Sequence, residues 1–163
     1  MIRALFVSAA LSVLAACTGG GYSAGSNGNG GMHGGPPPVN VTTIDVSLTA
    51  HGTTTTPFGS STGYAPPVTT VGVGSLIQFH NSDSFPHTAT AIPGGLSQFP
   101  AADPFSNAAL TQSGATLSGG FSSGALNPGS VSQMITADKA GTFLFGCFFH
   151  YANSGMRAAI VAQ

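Results

Sequence analysis

Over most of this chain, apolar residues recur at every second position rather than every third or fourth. Residues 41–50 put Ile44, Val46 and Leu48 on one side of an extended segment. Residues 71–80 carry Val71, Val73, Leu76, Ile77 and Phe79, with Gly72 and Gly74 suggesting a bend or bulge. A short apolar run at 89–92, a weak alternation at 131–137 and a strongly aromatic run at 142–149 follow; Ala159, Ile160 and Val161 close the chain within 158–162. Segments of this length and period predict half-buried strands. Turn signals separate them: Asn81-Ser82-Asp83, Pro93-Gly94-Gly95, Asn127-Pro128-Gly129 and Lys139-Ala140-Gly141. Many short strands with Gly and Pro between them predict an all-β sandwich. One place reads as helical: Asp103-Pro104 is expected to cap and start a short helix through Leu110.

The first forty residues follow another pattern. Arg3 precedes an apolar stretch from Ala4 to Leu14, shorter than the about 20 residues that span a bilayer as a helix. It ends in Leu14-Ala15-Ala16-Cys17, which resembles the lipobox of bacterial lipoproteins. The resemblance implies that residues 1–16 are a signal peptide and that Cys17 becomes the lipid-modified first residue. The alternative is an ordinary secreted protein cleaved nearby, with Cys17 free. Residues 18–40 are Gly, Ser, Asn and Pro, too polar to bury a core and expected to act as a tether. A coil of roughly 20 such residues has an end-to-end distance of about 25 Å. Met32 and His33 fall here and are read as solvated tether residues. The expected organisation is leader 1–16, lipidated Cys17 and tether 17–40, and folded domain 41–163. The expected location is extracytoplasmic or periplasmic, at a membrane surface through the lipid.

Composition narrows the function. The chain has 163 residues, room for one comfortable domain, and only 4% are charged. Arg3, Lys139 and Arg157 stand against Asp45, Asp83, Asp103 and Asp138, and Glu is absent. No basic stripe exists, so the electrostatic footprint of a nucleic-acid binder is missing. The 24 Gly and 11 Pro do not imply disorder, which goes with low hydrophobicity and high net charge, whereas the formal net charge here is −1. With so few charges, docking to a partner is not expected to rely on long-range steering and should depend weakly on salt.

The chemistry gathers in Cys147-Phe148-Phe149-His150, with His87 upstream and Met156 downstream. One thiolate, two imidazoles and a thioether suit a blue-copper site, where a trigonal His₂Cys plane holds the metal and a sulfur binds weakly on the axis. Phe143 and Phe145 alternate into Cys147, so the thiolate leaves the end of a buried strand. Bland readings stay open at this point: Cys147 as a buried hydrophobe, His87 and His150 as packing residues, Met156 as core filler. His51 and His80 are read as non-ligands, because His80 follows Phe79 on a strand and faces the other way. Structural zinc needs four strong ligands, and catalytic zinc needs three and a water; with no Glu and no Asp near Cys147, a base is lacking. Cys-His hydrolysis needs a thiolate beside a polar base, and Cys147 is flanked by Phe145, Phe148 and Phe149. The chain is therefore not expected to be an enzyme. A disulfide does not compete, since Cys17 is assigned to the anchor.

Asn81-Ser82-Asp83-Ser84-Phe85-Pro86-His87 resembles the segment that presents the first copper histidine in the plastocyanin and pseudoazurin branch of the cupredoxins. Leu126-Asn127-Pro128-Gly129, Ala140-Gly141-Thr142-Phe143, Cys147-Phe148-Phe149-His150 and Gly155-Met156 are similar to the same family in the same order. The likeness covers roughly residues 68–87 and 121–163. It implies a Greek-key β-sandwich with one type 1 copper ion at one end, held by His87, Cys147, His150 and Met156. It also implies an electron port at His150, Phe148 and Phe149. Thr88 stands where the family often has Asn, and its hydroxyl is expected to tie the two ligand loops together.

The implied function is single-electron shuttling through Cu(II)/Cu(I) by a monomer. The implied partners are redox proteins such as a c-type cytochrome or a copper or haem oxidoreductase. The alternative is a copper-binding or copper-delivery lipoprotein that carries no current. Two departures stand out. Five residues separate His150 from Met156, where plastocyanin-type loops usually have four, and Asn153-Ser154-Gly155 is expected to absorb the extra one. Residues 94–120 are longer than the usual connection.

Overall fold

The computed structural model describes residues 40–163. The expected leader 1–16, the expected lipidation at Cys17 and the expected tether to residue 39, with Met32 and His33, lie outside the described residues.

Period-two alternation produces the strands it predicts. β1 (Val41–Val46) buries Ile44 and Val46, and β6 (Leu76–Asn81) buries Ile77, Phe79 and Asn81. Between them lie a hairpin of β2 (Thr54–Thr56) and β3 (Gly59–Ser61), then β4 (Tyr64–Ala65) and β5 (Val68–Val71). β7 (Thr90–Ala91), β8 (Gln112–Thr116), β9 (Gly120–Ser123), β10 (Ile135–Thr136), β11 (Gly141–Gly146) and β12 (Arg157–Ala162) complete the set. Apart from the β2–β3 hairpin, the strands follow one hydrogen-bonded order, β4-β1-β6-β10-β8-β9-β7-β11-β12-β5. β1 pairs parallel with β6, and β12 parallel with β5, so both are reached by crossovers rather than hairpins.

This order closes over one core. Ile44, Val46, Ile77 and Phe79 from one half pack with Phe145, Ala158 and Ile160 from the other. Phe145 meets Phe79 at 5.1 Å between ring centroids and Tyr64 at 4.9 Å, the latter edge-on. A fully buried Ile or Phe contributes about 1.5–3 kcal/mol by leaving water, so this cluster dominates the stability of the end of the sandwich carrying Cys147. The expected all-β sandwich is the architecture found.

Three local expectations are corrected. The run 71–80 is two strands, because Gly72–Ser75 forms a turn with a Ser75 N–H to Gly72 carbonyl bond and Gly74 at φ +92°. The run 131–137 keeps strand pairing only at β10 and at a bridge between Val131 and His80. Asp103 does not start a helix. It turns the chain by accepting the Phe105 N–H at 2.9 Å, and a 3-10 turn begins later at Asn107–Leu110, capped by Ser106.

The long segment 94–120 has its own role. It supplies Phe99 and Phe105 to a second cluster with Ile92, Leu144, Tyr151 and Ala159, and it ends in the β8–β9 hairpin. Leu144 and Ala159 are register partners on β11 and β12, so this cluster covers the side of those strands away from the main core.

Candidate metal centre

Cys147 is the first residue after β11, so the strand's alternation and pairing aim it. Its N–H donates to the Met156 carbonyl at 3.0 Å, continuing the β11–β12 ladder by one bond. His87 sits on the loop after β6 and is held by reciprocal backbone bonds with Leu126, at 3.1 and 2.7 Å. Buried Asn81 braces that loop: its Nδ2 donates to the carbonyls of Phe85 and Leu126, both at 2.9 Å, and its Oδ1 accepts the Asp83 N–H.

After Cys147 the chain turns, with the N–H groups of His150 and Tyr151 both donating to the Cys147 carbonyl. A single helical turn follows, α1 (Tyr151–Ser154), ended by Gly155 at φ +63°. The Gly155 N–H returns to Tyr151 and the Met156 N–H to His150, at 3.1 and 3.2 Å. The five residues between His150 and Met156 are thus wound into a turn that needs a left-handed glycine at its end. This is how the extra residue is absorbed while Met156 still returns beside Cys147. Tyr151 then packs so tightly on Gly146 that a Cβ there would lie 2.7 Å from its ring.

Three donors converge. One nitrogen of each of His87 and His150, and the sulfur of Cys147, all lie within 4.8 Å of one another. The sulfur is 3.7 Å from His87 Nδ1 and 3.5 Å from His150 Nδ1. A metal about 2.3 Å from a thiolate and about 2.0 Å from an imidazole nitrogen, with about 120° between the bonds, separates those donors by about 3.7 Å. The spacing therefore fits a trigonal site, and the soft thiolate and imidazole set suits copper or zinc over hard cations. His87 and Cys147 are wholly buried and His150 is half-buried.

Protonation agrees with ligand duty. Burial holds the His87 pKa below its usual value despite the opposing pull of Asp83; burial and the neighbouring His87 do the same for His150. Both rings are therefore neutral donors near neutral pH. Burial raises the Cys147 thiol, while N–H groups of Thr88, Phe149 and His150 pull it back. A metal bound there would displace a proton from sulfur.

Thr88 joins the two loops. Its Oγ1 accepts the Phe148 N–H at 2.9 Å, and its own N–H points at the Cys147 sulfur at 3.3 Å. Met156 is wholly buried, and its side chain lies over Gly63, where a Cβ would come 2.8 Å from Met156 Cγ. Phe148 is half-buried and Phe149 39% exposed, so the loop beside His150 presents an aromatic surface. His51 and His80 lie away from the three donors and share the carboxylate of Asp45, at 2.6 and 3.3 Å.

Three participants escape a reading of the sequence by residue type. Asp83 accepts from His87 Nε2 at 3.1 Å. Its signal is the Asp83-to-His87 spacing across Phe85-Pro86, which folds the loop back on itself. Phe85 packs against both imidazoles, with centroid separations of 4.9 Å to His87 and 5.5 Å to His150. Tyr64 donates its hydroxyl to the Thr88 carbonyl at 2.5 Å from a distant strand, and no local pattern marks it.

No family model matches the chain, and no curated protein matches it. Solved structures do. A purple cupredoxin from Nitrosopumilus maritimus is similar at 18% identity and a TM-score of 0.46, over 74% of this chain and 98% of that one. A reduced amicyanin variant is similar at 15% identity and a TM-score of 0.47, over 76% and 83%. A Cu(I) form of a second amicyanin variant shows 15% identity and a TM-score of 0.46, over 76% and 82%.

Proposed function

We propose that this chain is a copper-binding electron-transfer protein whose one metal ion would be held by His87, Cys147 and His150, with the Met156 sulfur as a fourth ligand. The observation that carries the reading is the convergence of one sulfur and two Nδ1 atoms, at 3.7 and 3.5 Å, where β11 ends and the loops carrying His87 and His150 meet. When bound, copper supplies a one-electron Cu(II)/Cu(I) couple. The chain does the rest. His87, Cys147 and His150 are each held by backbone hydrogen bonds, His87 to Leu126 and Cys147 and His150 to the turn that leads to Met156, and would hold the ion with neutral imidazoles and the sulfur. Phe85, Phe148 and the core beneath Cys147 exclude water. The Thr88 N–H directed at sulfur withdraws electron density from the thiolate.

His150, half-buried beside exposed Phe149, is the edge through which an electron enters or leaves. A small apolar patch suits brief docking of a redox protein such as a c-type cytochrome or a copper or haem oxidoreductase. In this reading the protein works as a monomer outside the cytoplasm, tethered to a membrane by lipid on Cys17, and performs no substrate chemistry.

Titrating the purified protein with Cu(II) tests the assignment. An intense blue thiolate-to-copper absorption, lost in Cys147→Ser and accompanied by reversible voltammetry, is expected. Binding of Cu(I) without colour on Cu(II) addition would instead favour copper delivery. Binding of neither ion defeats both readings. Intact mass of membrane-extracted protein checks the anchor, which an unlipidated Cys17 rules out.

A further inference from the structure

Among the described residues, Asp83 is the one carboxylate buried against the donor cluster. Its side chain is 1% exposed and that of His87 is fully enclosed. Oδ2 contacts His87 Nε2 at 3.1 Å and accepts the Leu48 N–H at 2.8 Å and the Thr49 N–H at 3.3 Å. Oδ1 accepts the Thr49 hydroxyl at 3.0 Å and the Ser84 N–H at 2.9 Å. Four donors besides His87 thus fix the carboxylate, from the chain just after β1 and from its own loop. A carboxylate that accepts this many hydrogen bonds is favoured in its charged, acceptor-only form.

An ionised carboxylate only accepts hydrogen bonds, and a neutral imidazole carries its proton on one nitrogen. The contact with Asp83 therefore requires the proton on Nε2 of His87. That leaves the Nδ1 lone pair facing the Cys147 sulfur. Carboxylate partners of this kind orient a metal-binding histidine and raise its basicity. The negative charge also lies one imidazole away from the donor plane, in a place salt screens poorly.

We propose that Asp83 is a positioning residue for the metal centre: it sets the His87 tautomer, and its buried charge favours the more oxidised metal, lowering the reduction potential. This rests on the copper reading above. It gives the fixed charge a direction of effect opposite to that of the apolar pocket, which favours the less charged reduced site.

The rival role for Asp83 is a loop staple that only joins 47–49 to 83–84, and two variants separate the roles. Asp83→Asn keeps the shape and removes the charge. Thr49→Val removes one bond to Oδ1 and leaves the His87 contact intact. In voltammetry of the copper-loaded protein, Asp83→Asn is expected to weaken Cu(II) binding about tenfold with Cu(I) binding little changed, read as a rise of about 59 mV. Thr49→Val is expected to lower stability and leave the potential in place. An unchanged potential in Asp83→Asn, or an equal rise in both variants, overturns the proposal while a blue wild type keeps the copper reading.

The metal-free protein supplies an arm that needs no copper. Nitrogen-15 correlation spectra at neutral pH are expected to place the His87 proton on Nε2. A proton on Nδ1 overturns the proposal even if the wild type never turns blue.

Discussion

Tyr64→Phe removes one oxygen from a site that no residue near it in sequence could stabilise. The Tyr64 ring is 2% exposed and packs edge-on to Phe145 at 4.9 Å and to Phe79 at 6.5 Å. Phenylalanine keeps all of that packing. What disappears is the hydroxyl donating to the Thr88 carbonyl at 2.5 Å, within a residue that is itself fully buried. The Thr88 carbonyl is then left without this partner and without access to water, which costs about 1–3 kcal/mol. No cavity of note opens, so the cavity cost that accompanies large-to-small core changes does not arise.

Urea unfolding of the metal-free protein measures this directly. The midpoint should fall with the slope unchanged, because the surface exposed on unfolding is the same. A second effect follows from where Thr88 sits. Its N–H and hydroxyl bond the Cys147 sulfur and the Phe148 N–H, so a loosened Thr88 peptide weakens both ligand loops. Copper affinity should therefore fall along with stability. A loss below about 0.5 kcal/mol, the range of an ordinary surface change, would show that the hydroxyl does not support Thr88 and would refute the reasoning. So would a large loss of stability with copper affinity untouched.

Two further outcomes can be checked on the same protein. Gly63→Ala puts a Cβ 2.8 Å from Met156 Cγ and 2.9 Å from Leu48 Cδ2 at a backbone φ of +77°. The left-handed backbone alone costs about 1–2 kcal/mol, and the displaced Met156 should alter the visible spectrum of the copper form; an unchanged midpoint and spectrum would count against a packed, axially placed Met156. The stability of the metal-free protein should decline in two stages on acidification. His87 and His150 have folded pKa values below the usual 6.5, so the unfolded chain binds more protons as pH falls past that value and stability drops. Asp83 has a folded value below the usual 3.8, so its contribution is present above that pH and is lost only as pH falls further, toward its folded value. A urea midpoint that is flat from pH 7 to about pH 5 would contradict the histidine assignment.

What the sequence disclosed follows the range of each interaction. Alternation along β1, β6 and β11 is local, so the strands, their inward faces and the aim of Cys147 could be read directly. The convergence of His87, Cys147 and His150 could be read because their residue types are chemically unusual in company. Thr88 could be read because it follows His87, and it bonds Phe148 and Cys147 on the other loop. The helical start at Asp103-Pro104 failed for a physical reason. An aspartate before a proline makes an Asx-type turn as readily as a helix cap, and here its carboxylate accepts the Phe105 N–H while Ser106 takes the cap. The 71–80 run misled because apolar residues flank both sides of a tight glycine turn. Tyr64 and the Leu48–Thr49 amides that hold Asp83 were invisible, since nothing near them in sequence reports a partner on another loop.

The scarcity of charge gives these long-range contacts unusual weight. The chain has three basic and four acidic side chains in all. Arg157 is turned away, stacked over Phe99 and Tyr151 and donating to the Ser60 and Pro100 carbonyls. Asp45 is occupied by His51, His80 and Ser82, and Asp138 by Ser118. Among the described residues, no formal charge other than Asp83 touches the donor cluster. In a protein with a densely charged surface, one buried carboxylate would be averaged with many neighbours and partly screened by solvent. Here the nearest polar groups are Asp83 on the His87 side and the Thr88, Phe149 and His150 N–H groups on the sulfur. A change at Asp83 should therefore move the site's electron affinity more cleanly than any substitution on the surface.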